Sequence, residues 1–209
     1  MMDTIELLRQ SRLETGLLHT QLWHENFLTY RWWLIVAVIA ASYLVWWVLV
    51  DKRLLPELLL YGSFIAVARV IFDDWGILAG RWTYVVDLIH VPHTSLFLND
   101  LTVFPLALML VYQYGDTWAR FLVLAVLTEG IISFVFLPFL AWVGILVLHD
   151  WSYVGTFLVT TSIAISMRAI MSFLLMLTRR YRGAGGKAAE VLRPVFSRNM
   201  PGYRNRNKV

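Results

Sequence analysis

The sequence predicts an all-α, polytopic membrane helix bundle of about five transmembrane helices, with one segment suited to re-entry. Three observations predict it. The chain is 59% hydrophobic and 15% charged, with a mean hydropathy of +0.64, whereas soluble domains carry about 45–50% apolar and about 25% charged residues. Apolar stretches near 20 residues recur, the length that crosses about 30 Å of hydrocarbon as a helix. Residues 179–209 hold nine Lys and Arg against one acid, so half of the 18 basic residues lie at one end of the chain. This balance excludes a disordered chain and an ordinary cytosolic enzyme. With no cysteine there is no disulfide scaffold, thiol nucleophile or thiolate-held zinc.

Residues 1–30 scatter leucines and Trp23 among charges and carry a net charge of −2; they are expected to form an amphipathic, interfacial helix. The first long apolar run begins at Trp32, behind that acidic leader, and is too long for the core of a secretory signal. It is therefore expected to stay as a membrane anchor. This run, 32–50, holds no charge and has tryptophan pairs near both ends, where the amphipathic indole favours the membrane interface.

Asp51, Lys52 and Arg53 make a short polar turn. The second span is expected at 54–72, with Pro56 in its first turn, where a missing N–H costs nothing. Residues 73–100 break into short apolar pieces among Asp73, Asp74, Asp87, His90, His93 and Asp100, which fits an outer loop or a re-entrant segment. A third span is expected from about Leu96 to Tyr114. Residues 118–148 are too long for one upright span, at roughly 46 Å. Pro138 is expected to end the fourth span, leaving 139–150 as a half-buried piece. The fifth span is expected at 153–178. The bundle is thus 31–178, followed by a basic tail at 179–209.

The Lys and Arg of the short loops then place the 51–53 and 114–119 turns and the C-terminus in the cytoplasm of a cell-membrane protein. The tail is expected to meet anionic lipid headgroups rather than nucleic acid. The small-xxx-small pairs Gly62/Ala66 and Ser162/Ser166 are expected to pack helices within one chain before they join two copies in a homo-oligomer.

The order of several short motifs resembles a family of small, uncharacterised multi-pass membrane proteins common in spore-forming bacteria. They are Trp32-Trp33, Trp46-Trp47 and Val50-Asp51-Lys52-Arg53; Asp74 with Gly76; Trp82 with Tyr84; and Asp100-Leu101-Thr102-Val103 with Pro105. Tyr112-Gln113-Tyr114, Trp118, Phe121, and Pro138 ahead of Trp142 and Gly144 complete the series, which covers roughly residues 30–155. Where that family often has an acid directly before the proline of the fourth span, this chain has Leu137, with Glu129 earlier. The resemblance implies the multi-pass topology and brings no activity, ligand or catalytic residue.

The residues that can carry chemistry are the ionisable groups within the spans, which are costly there and face the bundle interior. Glu129 and Arg168 both count to mid-membrane and are expected to pair, as a structural lock or a proton relay. Arg69 stands one turn before Asp73 and Asp74 and is expected to tie itself to its own helix end. Asp87, His90 and His93, at spacings of three, are candidate ligands for a divalent metal, the one cofactor the sequence admits. Pro92 breaks the helix that would align them.

Three functions follow. The first is a non-enzymatic scaffold or a bundle binding a small or lipid ligand. The second is a metal-dependent hydrolase or lipid-modifying enzyme using Asp87, His90 and His93. The third is a small proton-coupled transporter using Glu129 and Arg168, with Asp100 among the ion candidates.

Overall fold

The computed structural model describes residues 2–89 and 98–184. It is an all-α bundle. Four of its helical stretches are long and apolar enough to cross a membrane, Tyr30–Leu49, Lys52–Leu78, Trp118–Val143 and Tyr153–Thr178. Contacts divide the chain into two units, residues 1–168 and 169–209; among the described residues, the second consists of the end of the last helix.

Helix α1 (Met2–Asn26) is largely exposed and shows leucines on several sides, among them Leu7, Leu8, Leu17 and Leu18. Helix α2 (Tyr30–Leu49) follows a three-residue turn. Asp51 then caps a 3-10 turn by accepting from the Arg53 N–H. Helix α3 (Leu55–Leu78) runs past the expected stop at residue 72 and carries Asp73 and Asp74 within its last turns. Its buried positions, Leu58, Tyr61, Gly62, Ile65, Arg69, Asp73 and Gly76, recur at steps of three and four. That is one helix face.

The expected third span is shorter than a membrane crossing. Helix α4 (Leu98–Leu101) and helix α5 (Val103–Tyr114) are separated by Thr102, whose backbone leaves the helical region (φ −126°, ψ −81°). Pro105 lies in the first turn of α5, where it can start a helix but could not have continued α4. At 12 residues, α5 rises about 18 Å. It is apolar and buried on most sides and packs against α2, α3 and α6.

Pro138 does not end the fourth span. Helix α6 (Trp118–Ile131) passes through a π-helical turn (Ile132–Phe136) into α7 (Leu137–Val143), with Pro138 at the start of α7. A proline cannot donate to the turn before it and its ring crowds the carbonyl four residues back. The wider π turn opens that point of the helix. The stop comes at Gly144, in the left-handed conformation (φ 78°, ψ 30°). Its N–H donates to the Ala141 carbonyl, and that of Ile145 to the Leu140 carbonyl, 3.0 and 2.9 Å. This motif favours glycine.

The chain then enters β2 (Leu146–Leu148), which pairs antiparallel with β1 (Trp82–Tyr84), Thr83 opposite Val147. The sequence reading contained no strands. Two strands of three residues are marginal alone, and here the aromatic rings of Phe72, Trp75, Trp82 and Trp151 stack around them. Helix α8 (Tyr153–Ala184) closes the fold. Within the first unit its buried positions are Thr156, Thr160, Thr161, Ala164 and Arg168. Gly62 packs inside the chain, since a Cβ there would meet Met109, whereas Ser162 and Ser166 are exposed.

Gly76 fixes how the sheet seats on α3. A Cβ at this position would stand 1.9 Å from the Trp82 ring, while one at Gly130 would meet nothing closer than 4.0 Å. Gly76→Ala is therefore expected to destabilise the protein by about 1–3 kcal/mol. Gly130→Ala is expected to be neutral or stabilising by up to about 1 kcal/mol. Thermal unfolding in detergent checks both; equal effects would contradict this seating.

Candidate functional site

The polar centre of the bundle is built by faces of α3 and α6 that the helix period sets toward each other. On α6, Phe121, Ala125 and Glu129 are buried at steps of four. On α3, Ile65, Arg69 and Asp73 are buried at the same spacing. Arg69 Nη2 donates to both carboxylate oxygens of Glu129, at 3.1 Å each. The Arg69 guanidinium carbon also stands 4.4 Å from the Phe104 ring centroid on α5, so its face is covered by an aromatic ring.

The expected pairings are both replaced. Arg69 does not close onto its own helix end. Asp74 is exposed, and Asp73 Oδ1 instead accepts from Trp82 Nε1 and Tyr84 Oη, both at 2.9 Å. Trp82 and Tyr84 are two residues apart on β1, so the strand's alternation puts both over the end of α3.

Arg168 does not reach Glu129. Its guanidinium carbon lies 4.3 Å from the Phe121 ring, 5.1 Å from Trp118 and 5.6 Å from Tyr112. Phe121 is eight residues from Glu129 on α6, about 12 Å along the axis. Arg168 packs instead against Trp118 and Phe121 in the first turn of α6, whereas Glu129 lies eleven residues past Trp118.

Asp100 belongs to the centre. It is buried on α4, with Asn99 beside it, and it lines a small cavity with Arg69, Asp73, Tyr84, Phe104 and Thr156. That cavity offers about 30 Å³, room enough for water but far below an organic ligand. Asp100 Oδ2, Asn99 Oδ1 and Arg69 Nε are buried without a hydrogen-bond partner among the described residues. Buried polar atoms left in this state are uncommon and call for a physical reason.

The metal candidates fare differently. His90 and His93 lie outside the described residues. Asp87 faces His19 of α1, with Oδ2 3.9 Å from Nδ1. That contact is electrostatic and too long for a hydrogen bond. Burial pushes the Asp87 carboxyl up to about 6, because desolvation penalises its charged form. Among the described residues, no three His, Asp or Glu side chains converge closely enough to hold a metal ion.

Sequence reasoning found every charged member of the centre and missed its neutral ones. Trp82 and Tyr84 entered only as a motif of the resemblance, with no role attached, because a three-residue strand has no readable period; Asn99 lies on a four-residue helix and was not singled out. Comparison with family models, with curated proteins and with solved structures finds no match to this chain.

The arrangement pairs the Arg69 guanidinium with Glu129 and sets Asp73 and Asp100 with it around a small cavity. Breaking the pair strands a buried ion, which typically costs about 3–5 kcal/mol, whereas apolar replacement of both partners is often neutral. Glu129→Gln is accordingly expected to lower stability by about 3–5 kcal/mol, and Arg69→Met with Glu129→Leu to recover most of it. Adding an Arg168 substitution to Glu129→Gln should give simply additive losses. Chemical unfolding in detergent measures all of these. A strong coupling of Glu129 to Arg168, with none to Arg69, would contradict the pairing.

Proposed function

We propose that the protein is an integral, multi-pass membrane protein whose bundle binds a small ligand without transforming it, and that the ligand is a proton. The carrying observation is the imbalance at the centre. Arg69 and Glu129 neutralise one another, which leaves Asp73 and Asp100 with two carboxyl groups and, among the described residues, no further cation lining their cavity. A proton on Asp100 removes one of these two charges and supplies a donor where Asp100 Oδ2 has none, while Asp73 keeps its two donors from β1.

Size decides among ligands. Organic ligand pockets hold about 300–1,000 Å³, ten times the volume here. A lipid or a hydrolysable substrate has no room at this centre, and the convergence of donors that a metal would need is missing among the described residues. Four helices of crossing length support the membrane assignment. The reading keeps the C-terminus cytoplasmic and its basic residues against anionic lipid headgroups, on the charge asymmetry of the sequence.

Infrared difference spectroscopy of the purified protein in detergent, across a pH step, tests the proton. A buried carboxyl band should respond to pH in the natural protein and in Asp74→Asn, and should be lost in Asp100→Asn. Superimposable spectra for the natural protein and Asp100→Asn would overturn the reading.

A further inference from the structure

The β1–β2 pair turns one face toward the polar centre. Side chains alternate along a strand, so the cross-strand partners Trp82 and Leu148, and Tyr84 and Leu146, stand on the same side of the ladder. All four line the central cavity. The remaining pair, Thr83 and Val147, stands on the other side, where Thr83 Oγ1 meets His149 Nε2 at 3.1 Å. Every other described residue lining the cavity belongs to a helix, so the sheet is its one non-helical wall.

Two carboxyl groups share that cavity, and the sheet treats them differently. Asp73 Oδ1 accepts from Trp82 Nε1 and from Tyr84 Oη, at 2.9 Å each. Asp100 Oδ2 is buried with no hydrogen-bond partner among the described residues. The indole N–H can only donate. Burial and the charges of Asp73 and Asp100 hold the Tyr84 phenol well above its ordinary value, so it keeps its proton and stays a donor. Donors on a carboxylate favour its charged form, and a bond to a charged acceptor is roughly twice as strong as one between neutral groups. A carboxyl oxygen without a donor in the same buried space gains nothing from staying charged.

The other surroundings do not reverse this difference. Among the described residues, Arg69 of α3 is already bonded to Glu129 of α6. Helix α5 presents Phe104, and α8 presents Thr156, whose Oγ1 accepts from Trp151 Nε1. Asp74 is exposed.

The structure assigns to Trp82 and Tyr84 the choice of which carboxyl in the cavity takes the proton. With β1 seated, Asp73 keeps its charge and Asp100 is the site. With both donors withdrawn, Asp73 becomes a second bare carboxylate in the same space and takes a second proton from water, forming an O–H bond on its own side chain. This rests on the proton-binding reading above and makes the sheet a part of the site. The coupling is reciprocal. A proton on Asp73 weakens the seat of β1, and whatever lifts β1 raises the number of protons held.

Trp82→Phe combined with Tyr84→Phe keeps an aromatic ring at each position and removes the two donors. A downward pH step on the full-length protein in detergent, followed by a soluble indicator dye and by infrared difference spectroscopy, counts the protons and identifies the carboxyl. The double variant should take up about one proton more per chain than the natural protein, with a second carboxyl band that adding Asp73→Asn removes. Thr83→Val alters the other face of the same strand and should match the natural protein in both readouts, which separates loss of the donors from loosening of the sheet. Where the double variant does not fold, Tyr84→Phe alone should make Asp73 titrate at higher pH than in the natural protein. Natural uptake and a natural spectrum in the variants lacking donors, with Asp100→Asn still losing its band, would overturn this inference alone. A second band that survives Asp73→Asn, or that also appears in Thr83→Val, would do the same. An Asp100→Asn spectrum identical to that of the natural protein would overturn the proton reading as well.

Discussion

Taking a guanidinium or a carboxylate out of water costs several kcal/mol per ion even after the surroundings relax. Arg69 and Glu129, at 3% and 0% exposure, are therefore buried on condition that they meet. That condition fixes the rotation of α3 against α6, because only one face of each helix carries its ion. Once the faces are set, Asp73 follows one turn beyond Arg69 and must come to the end of α3 under the β1–β2 pair. Ser133 follows one turn beyond Glu129, also buried. The π turn at Ile132–Phe136 then lets α6 continue into α7 with Leu137 and Leu140 still facing inward.

The same pair explains why the centre is small. An ion pair in low dielectric tolerates few neighbours that are not matched in charge. Phe104 covers the guanidinium face, the β1 tryptophan and tyrosine donate to Asp73, and the space left is about 30 Å³. A buried ion pair is not in itself a source of stability, since well-packed apolar residues often do as well. It stands here next to two further acids and three polar atoms without a partner among the described residues.

Much of this architecture was legible in the sequence, and the parts that were not share a cause. Apolar runs near 20 residues, charge-free only in α2, identified α2 and most of α3, α6 and α8, because lipid thickness sets their length. Glu129, Arg168, Arg69, Asp73 and Asp100 stood out because ions in apolar surroundings are rare. Which ion meets which was not legible. Pairing depends on how the helices register against one another, and Arg168 meets the first turn of α6 rather than its middle. The α4–α5 break at Thr102 and the passage of the helix through Pro138 likewise turn on local backbone choices that composition does not record. Trp82 and Tyr84 act through a strand too short to leave a pattern, so their hold on Asp73 emerges only from the fold.

Exchanging the two ions tests the central pairing most directly. Arg69→Glu and Glu129→Arg, each alone, place two like charges together in the core and should yield no folded protein. The two combined restore opposite charges and should recover a monodisperse, cooperatively unfolding protein in detergent. If the combined variant folds no better than either single one, or if Glu129→Arg is rescued by Arg168→Glu instead, then Arg69 is not the partner of Glu129 and this account of the bundle is wrong.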